Sequence, residues 1–135
     1  MFLYGPNIAD VFFVVTKVLL VEDDPYNLQA LTIYLRLMGL EVEQAHDGFE
    51  ALKQLDNSRF HVVVSDIRMP GLDGVELVKR IRDKVKGIPI VLISGDPAAT
   101  METLPRSELL RVLTKPFVPS ELLEIIHRAV IDKEL

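Results

Sequence analysis

From Lys17 onward, short apolar runs alternate with stretches whose apolar residues recur at helical spacing. Val18-Leu19-Leu20-Val21 reads as a strand, and Leu28, Leu31, Leu35 and Met38 then line one face of a helix. Asp24 suits its N-cap, Pro25 its first position and Gly39 its stop. Leu40 to Ala45 sets Val42 between Glu41 and Glu43, the alternation of a half-exposed edge strand. Asp47-Gly48-Phe49-Glu50 has the pattern of a capping box and opens a second helix through Leu55. Three consecutive valines in Phe60 to Ser65 mark a strand buried on both faces, ending in Asp66. Asp73 and Glu76 repeat the capping pattern before a third helix with Leu77, Val78, Ile81 and Val85 on its core side. Ile88 to Ile93 and Leu109 to Leu113 are the fourth and fifth strands. Leu122, Ile125, Ile126, Ala129 and Val130 define the last helix. Pro97 suits a helix start but Pro105 cannot sit in a helix interior, which leaves room for about two turns of a fourth helix.

Five such β/α units predict an α/β fold: a five-stranded parallel sheet with right-handed crossovers and helices on both faces. With strand order 2-1-3-4-5, strands one and three flank the point where the order reverses, and ligands bind there beyond the carboxyl ends of the strands. The polar residues fall at those ends: Glu22 and Asp23 after strand one, Asp66 after strand three, Ser94 after strand four and Lys115 after strand five. Clustered carboxylates repel one another unless a cation sits among them, and hard oxygen donors without His or Cys favour Mg2+ over a transition metal. Mg2+ held by few carboxylates completes its shell with water and phosphate oxygens. A lysine and a hydroxyl would orient the remaining phosphoryl oxygens, and an aspartate can itself be the nucleophile. The residues therefore predict a phosphoryl site on a carboxylate.

Composition narrows the classes. At 135 residues, 49% of them hydrophobic, the chain is one domain's worth and can bury a core without staples. No apolar run approaches the roughly 20 residues of a bilayer span, so no membrane partner is expected. The absence of Cys excludes a disulfide framework, a thiolate metal site and a cysteine nucleophile, and fits the cytoplasm. Twenty acids against 15 bases, a net charge of −5, argue against nucleic acid as a direct partner. No Gly-rich Walker-type loop supports nucleotide binding. Asp24, Asp47 and Asp73 read as helix caps, and His46, His61 and His127 as structural or exposed residues without a second His at ligand spacing.

Four segments carry a family resemblance: Val21-Glu22-Asp23-Asp24-Pro25, Ser65-Asp66-Ile67-Arg68-Met69-Pro70-Gly71-Leu72-Asp73-Gly74, Leu92-Ile93-Ser94-Gly95 and Thr114-Lys115-Pro116-Phe117. In this order and near this spacing they resemble the receiver domain of two-component response regulators, a flavodoxin-like doubly wound fold. The resemblance divides the chain into an N-terminal extension (1–16), a receiver (17–131) and a C-terminal tail (132–135). It implies that Asp66 accepts a phosphoryl group from a sensor histidine kinase or a phosphotransfer protein. It further implies that Asp23 and Asp66 hold Mg2+ (Mn2+ being the alternative) directly with the backbone carbonyl of Arg68, while Glu22 acts mainly through water. Ser94 would bond one phosphoryl oxygen and Lys115 another; Lys115-Pro116 would be a cis peptide, and Gly71 and Gly74 would permit the turn beside the site. The output would be a downstream protein or a fused domain absent from this chain, and catalysis would be limited to phosphorylation of Asp66 itself and slow hydrolysis there.

Three features depart from the family pattern or lie outside it. Where receivers usually carry Tyr or Phe three residues before the lysine, this chain has Val112, which is stiff and has no ring to swing, so any switch at Ser94 and Val112 must use other parts. Arg68 and Asp96 border the site with opposite charges, and an ion pair between them would limit water access and tune the phosphate's lifetime while adding less than about 1 kcal/mol of stability. Met1 to Thr16 has neither the basic region nor the cleavage site of a signal peptide. Val11 to Val15 is apolar enough for a strand, which would pack on a sheet edge, support a homodimer or reflect an early start codon.

Two rival functions remain. A receiver fold used as a phosphorylation-independent interaction module would not need the full acidic site. A Mg2+-dependent phosphohydrolase of the haloacid-dehalogenase type would look for a second acid two residues after the nucleophile, where this chain has Arg68.

Overall fold

In the computed structural model, which describes residues 15–104, 107 and 109–134, the first apolar run forms β1 (Lys17–Val21). Its odd and even residues face opposite ways: Leu19 and Val21 enter one apolar cluster, Val18 and Leu20 the other. The same division runs through β3 (Val62–Asp66) and β4 (Ile90–Ser94), whose residues are all buried. The edge strand β2 (Glu41–Ala45) buries Val42 and Ala45 and exposes Glu41 and Glu43. With β5 (Leu110–Thr114) these strands make one parallel sheet in the order β2-β1-β3-β4-β5.

Helices cover both faces. On one lie α1 (Pro25–Leu37), through Leu28 and Leu35, and α5 (Pro119–Glu134), through Leu122, Ile126, Ala129 and Val130. On the other lie α2 (Gly48–Asn57), through Ala51 and Leu55, and α3 (Gly74–Lys84), through Leu77, Val78 and Ile81. The short α4 (Pro97–Glu102) precedes β5. No helix of the described residues is long and apolar enough to cross a membrane.

The start of each of the first four helices is set by an aspartate. Asp24, Asp47, Asp73 and Asp96 accept hydrogen bonds from the backbone N–H groups of Tyr26, Glu50, Glu76 and Ala99, satisfying donors that the helix itself leaves free. The reciprocal half of the expected capping boxes is absent. Glu50 accepts from the N–H of His46, one residue before the cap, and Glu76 pairs forward with Arg80 because the i,i+4 guanidinium is the stronger partner.

The expected tail is also corrected. Its residues 132–134 belong to α5, whose last turn is tied down by an Arg111–Asp132 ion pair and by Lys133 donating to the Gly87 carbonyl. The expected strand over Val11–Val15 lies outside the described residues except for Val15, which is exposed and precedes β1.

Candidate functional site

Strand register builds the site. Val21 lies opposite Ser65, so Glu22 and Asp66 emerge side by side from β1 and β3. Asp66 lies opposite Ile93, and Ser94 opposite Thr114, which brings Ser94 and Lys115 to the same sheet end. Beyond that end a cleft of about 570 Å³ is lined by Glu22, Asn27, Asp66 and Lys115, with Leu31 and Phe117 on its apolar wall.

Asp66 is 7% exposed, and both of its oxygens have donors. Lys115 Nζ reaches Oδ2 at 2.5 Å, and the Arg68 N–H donates to Oδ1 at 3.0 Å. Glu22, also 7% exposed, accepts from Asn27 Nδ2 at 3.2 Å and from the Asp23 N–H at 3.1 Å. The Asp23 side chain is exposed, and no three acidic or imidazole groups among the described residues converge as a ready chelate. Two buried carboxylates and one ammonium form the centre, with Asp23 at its rim. The Lys115-Pro116 peptide is cis. The turn after Asp66 needs its glycines. Gly71 has φ +80°, and a Cβ on Gly74 would sit 2.7 Å from Ile67 Cα.

Burial pushes the Glu22 carboxyl above its ordinary value of 4.5, the Asp66 charge pushes the same way, and the Asn27 hydrogen bond only partly offsets them. The folded chain therefore holds this proton more tightly than the unfolded chain does. The resulting stability is fully present below about 4.5 and is lost as pH rises through the folded value. Glu22→Gln is accordingly expected to raise the melting temperature at neutral pH without divalent cations, and the gain should shrink toward zero in acid. Thermal unfolding followed by circular dichroism across pH checks this; a variant less stable than wild type at neutral pH would contradict it.

The family model of the response regulator receiver domain matches residues 18–127. This chain belongs to that family. Among relatives of this receiver is the C4-dicarboxylate transport transcriptional regulatory protein DctD of Pseudomonas aeruginosa, 39% identical over 121 residues, or 85% of this chain and 25% of DctD. The transcriptional regulatory protein PrrA of Mycobacterium tuberculosis is 39% identical over 111 residues, which is 78% of this chain and 46% of PrrA. The receiver thus spans less than half the length of either. Among solved structures, the chemotaxis protein CheY4 of Vibrio cholerae aligns with TM-score 0.74 and 34% identity, covering 85% of this chain and 98% of that one.

Arg68 and Asp96, expected to pair over a phosphoryl group, lie on the loops after β3 and β4. Both side chains are exposed, and Asp96 Oδ1 accepts the Ala99 N–H as the cap of α4. Val112 is half-buried against the core cluster on the α2–α3 face. Ser94 is 2% exposed and bonds the hydroxyl of Thr100 at 2.8 Å. Sequence reasoning missed Thr100 and Asn27. Each lies in the first turn or so of a helix opened by Asp-Pro, five or six residues after a strand-end polar group, and that spacing was the available signal.

Proposed function

We propose that this receiver accepts a phosphoryl group on Asp66 from the phosphohistidine of a sensor histidine kinase or a phosphotransfer protein, in the cytoplasm, and so changes its contacts with a downstream protein or output domain. The observation that carries this reading is the 2.5 Å contact between Lys115 Nζ and Asp66 Oδ2, made across the sheet from β5 to β3. An Asp66 oxygen forms the new P–O bond as the P–N bond of the donor breaks. Lys115 is then placed to pair with a phosphoryl oxygen, and the Arg68 N–H holds the carboxylate's orientation while the bond forms.

The donor set fits a hard divalent cation. Glu22 and Asp66 are buried, burial and the Asp66 charge both raise the cost of ionising Glu22, Asp23 adds a third carboxylate at the rim, and no group of imidazole or thiol ligands converges there among the described residues. Asp23, Asp66 and the Arg68 carbonyl would hold Mg2+ or Mn2+, with Glu22 behind them. When bound, the ion supplies charge neutralisation for the phosphoryl oxygens. Arg68 stands where a phosphohydrolase of the haloacid-dehalogenase type would place its second acid, which supports self-phosphorylation and slow hydrolysis over turnover.

Val112 favours a second reading, a receiver that binds partners regardless of phosphorylation, because it leaves β5 without a ring to swing. Incubation with acetyl phosphate and Mg2+, resolved on a phosphate-affinity gel, separates the two. A retarded band that disappears with EDTA is expected; no band under any divalent cation would reject the phosphoacceptor reading.

A further inference from the structure

Ser94 and Thr100 are both buried, at 2% and 7% exposure, and their hydroxyl oxygens lie 2.8 Å apart. The direction of that bond follows from counting protons. Thr100 Oγ1 is also 3.0 Å from the Asp96 carbonyl, which can only accept. A threonine hydroxyl has one proton, so with that proton on the carbonyl, Ser94 is the donor to Thr100. Ser94 Oγ in turn accepts the Asp96 N–H at 3.0 Å. The serine's only proton is thus committed to the first turn of α4.

A phosphoryl oxygen on Asp66 needs the same proton, because the serine hydroxyl has no other to donate. We propose that Thr100 is a positioning residue for Ser94, holding the serine proton on α4 until a phosphoryl oxygen takes it, so that occupancy of Asp66 and anchoring of α4 compete for one hydrogen bond. The proposal rests on the reading of Asp66 as phosphoacceptor. It identifies what moves in a receiver with Val112 in β5: loss of the Ser94–Thr100 bond removes the direct side-chain tie from Ser94 to Thr100, whose hydroxyl is then left with its bond to the Asp96 carbonyl within the same turn. Thr100 therefore sets a cost on occupancy and couples it to α4.

The test is a titration with beryllofluoride and Mg2+, a phosphoryl mimic, followed by amide NMR. Thr100→Val removes the competing acceptor at nearly constant volume and is expected to tighten beryllofluoride binding about fivefold, the scale of one buried hydrogen bond. Thr100→Ser should restore wild-type affinity, and Thr100→Ala serves as a second variant with the same expected direction as Val. In a Ser94→Ala background Thr100→Val should have no further effect, and Mg2+ affinity without beryllofluoride should be equal in wild type and the Thr100 variants. The amides of Ala98, Ala99 and Met101 should shift less on binding in Thr100→Val than in wild type, because α4 is already released. Unchanged or weaker beryllofluoride binding in Thr100→Val with Mg2+ binding intact would overturn the proposal, as would an equal effect in the Ser94→Ala background. If wild type itself binds Mg2+ but not beryllofluoride, the phosphoacceptor reading fails first and the role of Thr100 falls with it.

Discussion

Asp66→Asn is expected to lose all labelling by acetyl phosphate while remaining folded and able to pack its sheet as wild type does. The amide has nearly the shape of the carboxylate, and its oxygen can still accept the Arg68 N–H now bonded at 3.0 Å. What it lacks is a nucleophilic oxygen. Neighbouring acids are poor substitutes. Both Glu22 oxygens are engaged by Asn27 and the Asp23 N–H, and burial, which the substitution does not change, still raises the cost of ionising that carboxyl. Asp23 is exposed and makes no salt bridge among the described residues. A phosphate-affinity gel of wild type and variant reads the outcome; a retarded band of wild-type intensity in Asp66→Asn would place the phosphoryl group elsewhere.

Lys115→Met separates charge stabilisation from cation binding by moving them in opposite directions. The lysine is the cation that contacts Asp66, and it comes from the opposite part of the sheet at the end of β5. Removing a preorganised cation from developing phosphoryl charge is expected to slow labelling by acetyl phosphate about a hundredfold. The same change takes a competing positive charge off Asp66 Oδ2, so Mg2+ should bind more tightly. Initial rates on the gel and a Mg2+ titration followed by amide NMR give the two readouts. Slower labelling together with weaker Mg2+ binding would mean that Lys115 holds the site's shape and not its charge.

The sheet was legible because its central strands are buried on both faces. Three valines in β3 and the apolar run in β4 leave little freedom about where they lie, and the expected order and polarity of all five strands are those of the fold. Glu22, Asp66, Ser94 and Lys115 were legible for a related reason: a polar residue directly after a buried parallel strand has nowhere to go but the carboxyl end of the sheet. Periodicity could not show the end of α5, since Asp132 and Lys133 continue the helix by contacts with Arg111 and Gly87 and not by apolar spacing.

Asp96 has a second role, as a helix cap, that its charge alone did not suggest. Opposite charges on adjacent loops suggested an ion pair with Arg68, but Asp96-Pro97 repeats the Asp24-Pro25 pattern already read as a helix start. A cap bond within three residues costs little chain ordering, whereas a pair between two exposed side chains must order both. Thr100 was harder to find. A threonine inside a short helix has no signature of its own, and only the fold shows that its hydroxyl meets Ser94. Nor did the sequence show which of the three carboxylates is buried: Asp23 is exposed, and Glu22 and Asp66 are the buried pair.

As a phosphoacceptor, this receiver would carry its phosphoryl group on one carboxylate, Asp66. Borohydride reduces an acyl phosphate to the alcohol, so an acetyl phosphate-treated chain quenched with borohydride and mapped by peptide mass spectrometry reports the modified residue directly. The expected product is homoserine at position 66, formed only when Mg2+ is present. Homoserine at another position, or an unreduced Asp66 in a chain that carries phosphate, would contradict the account.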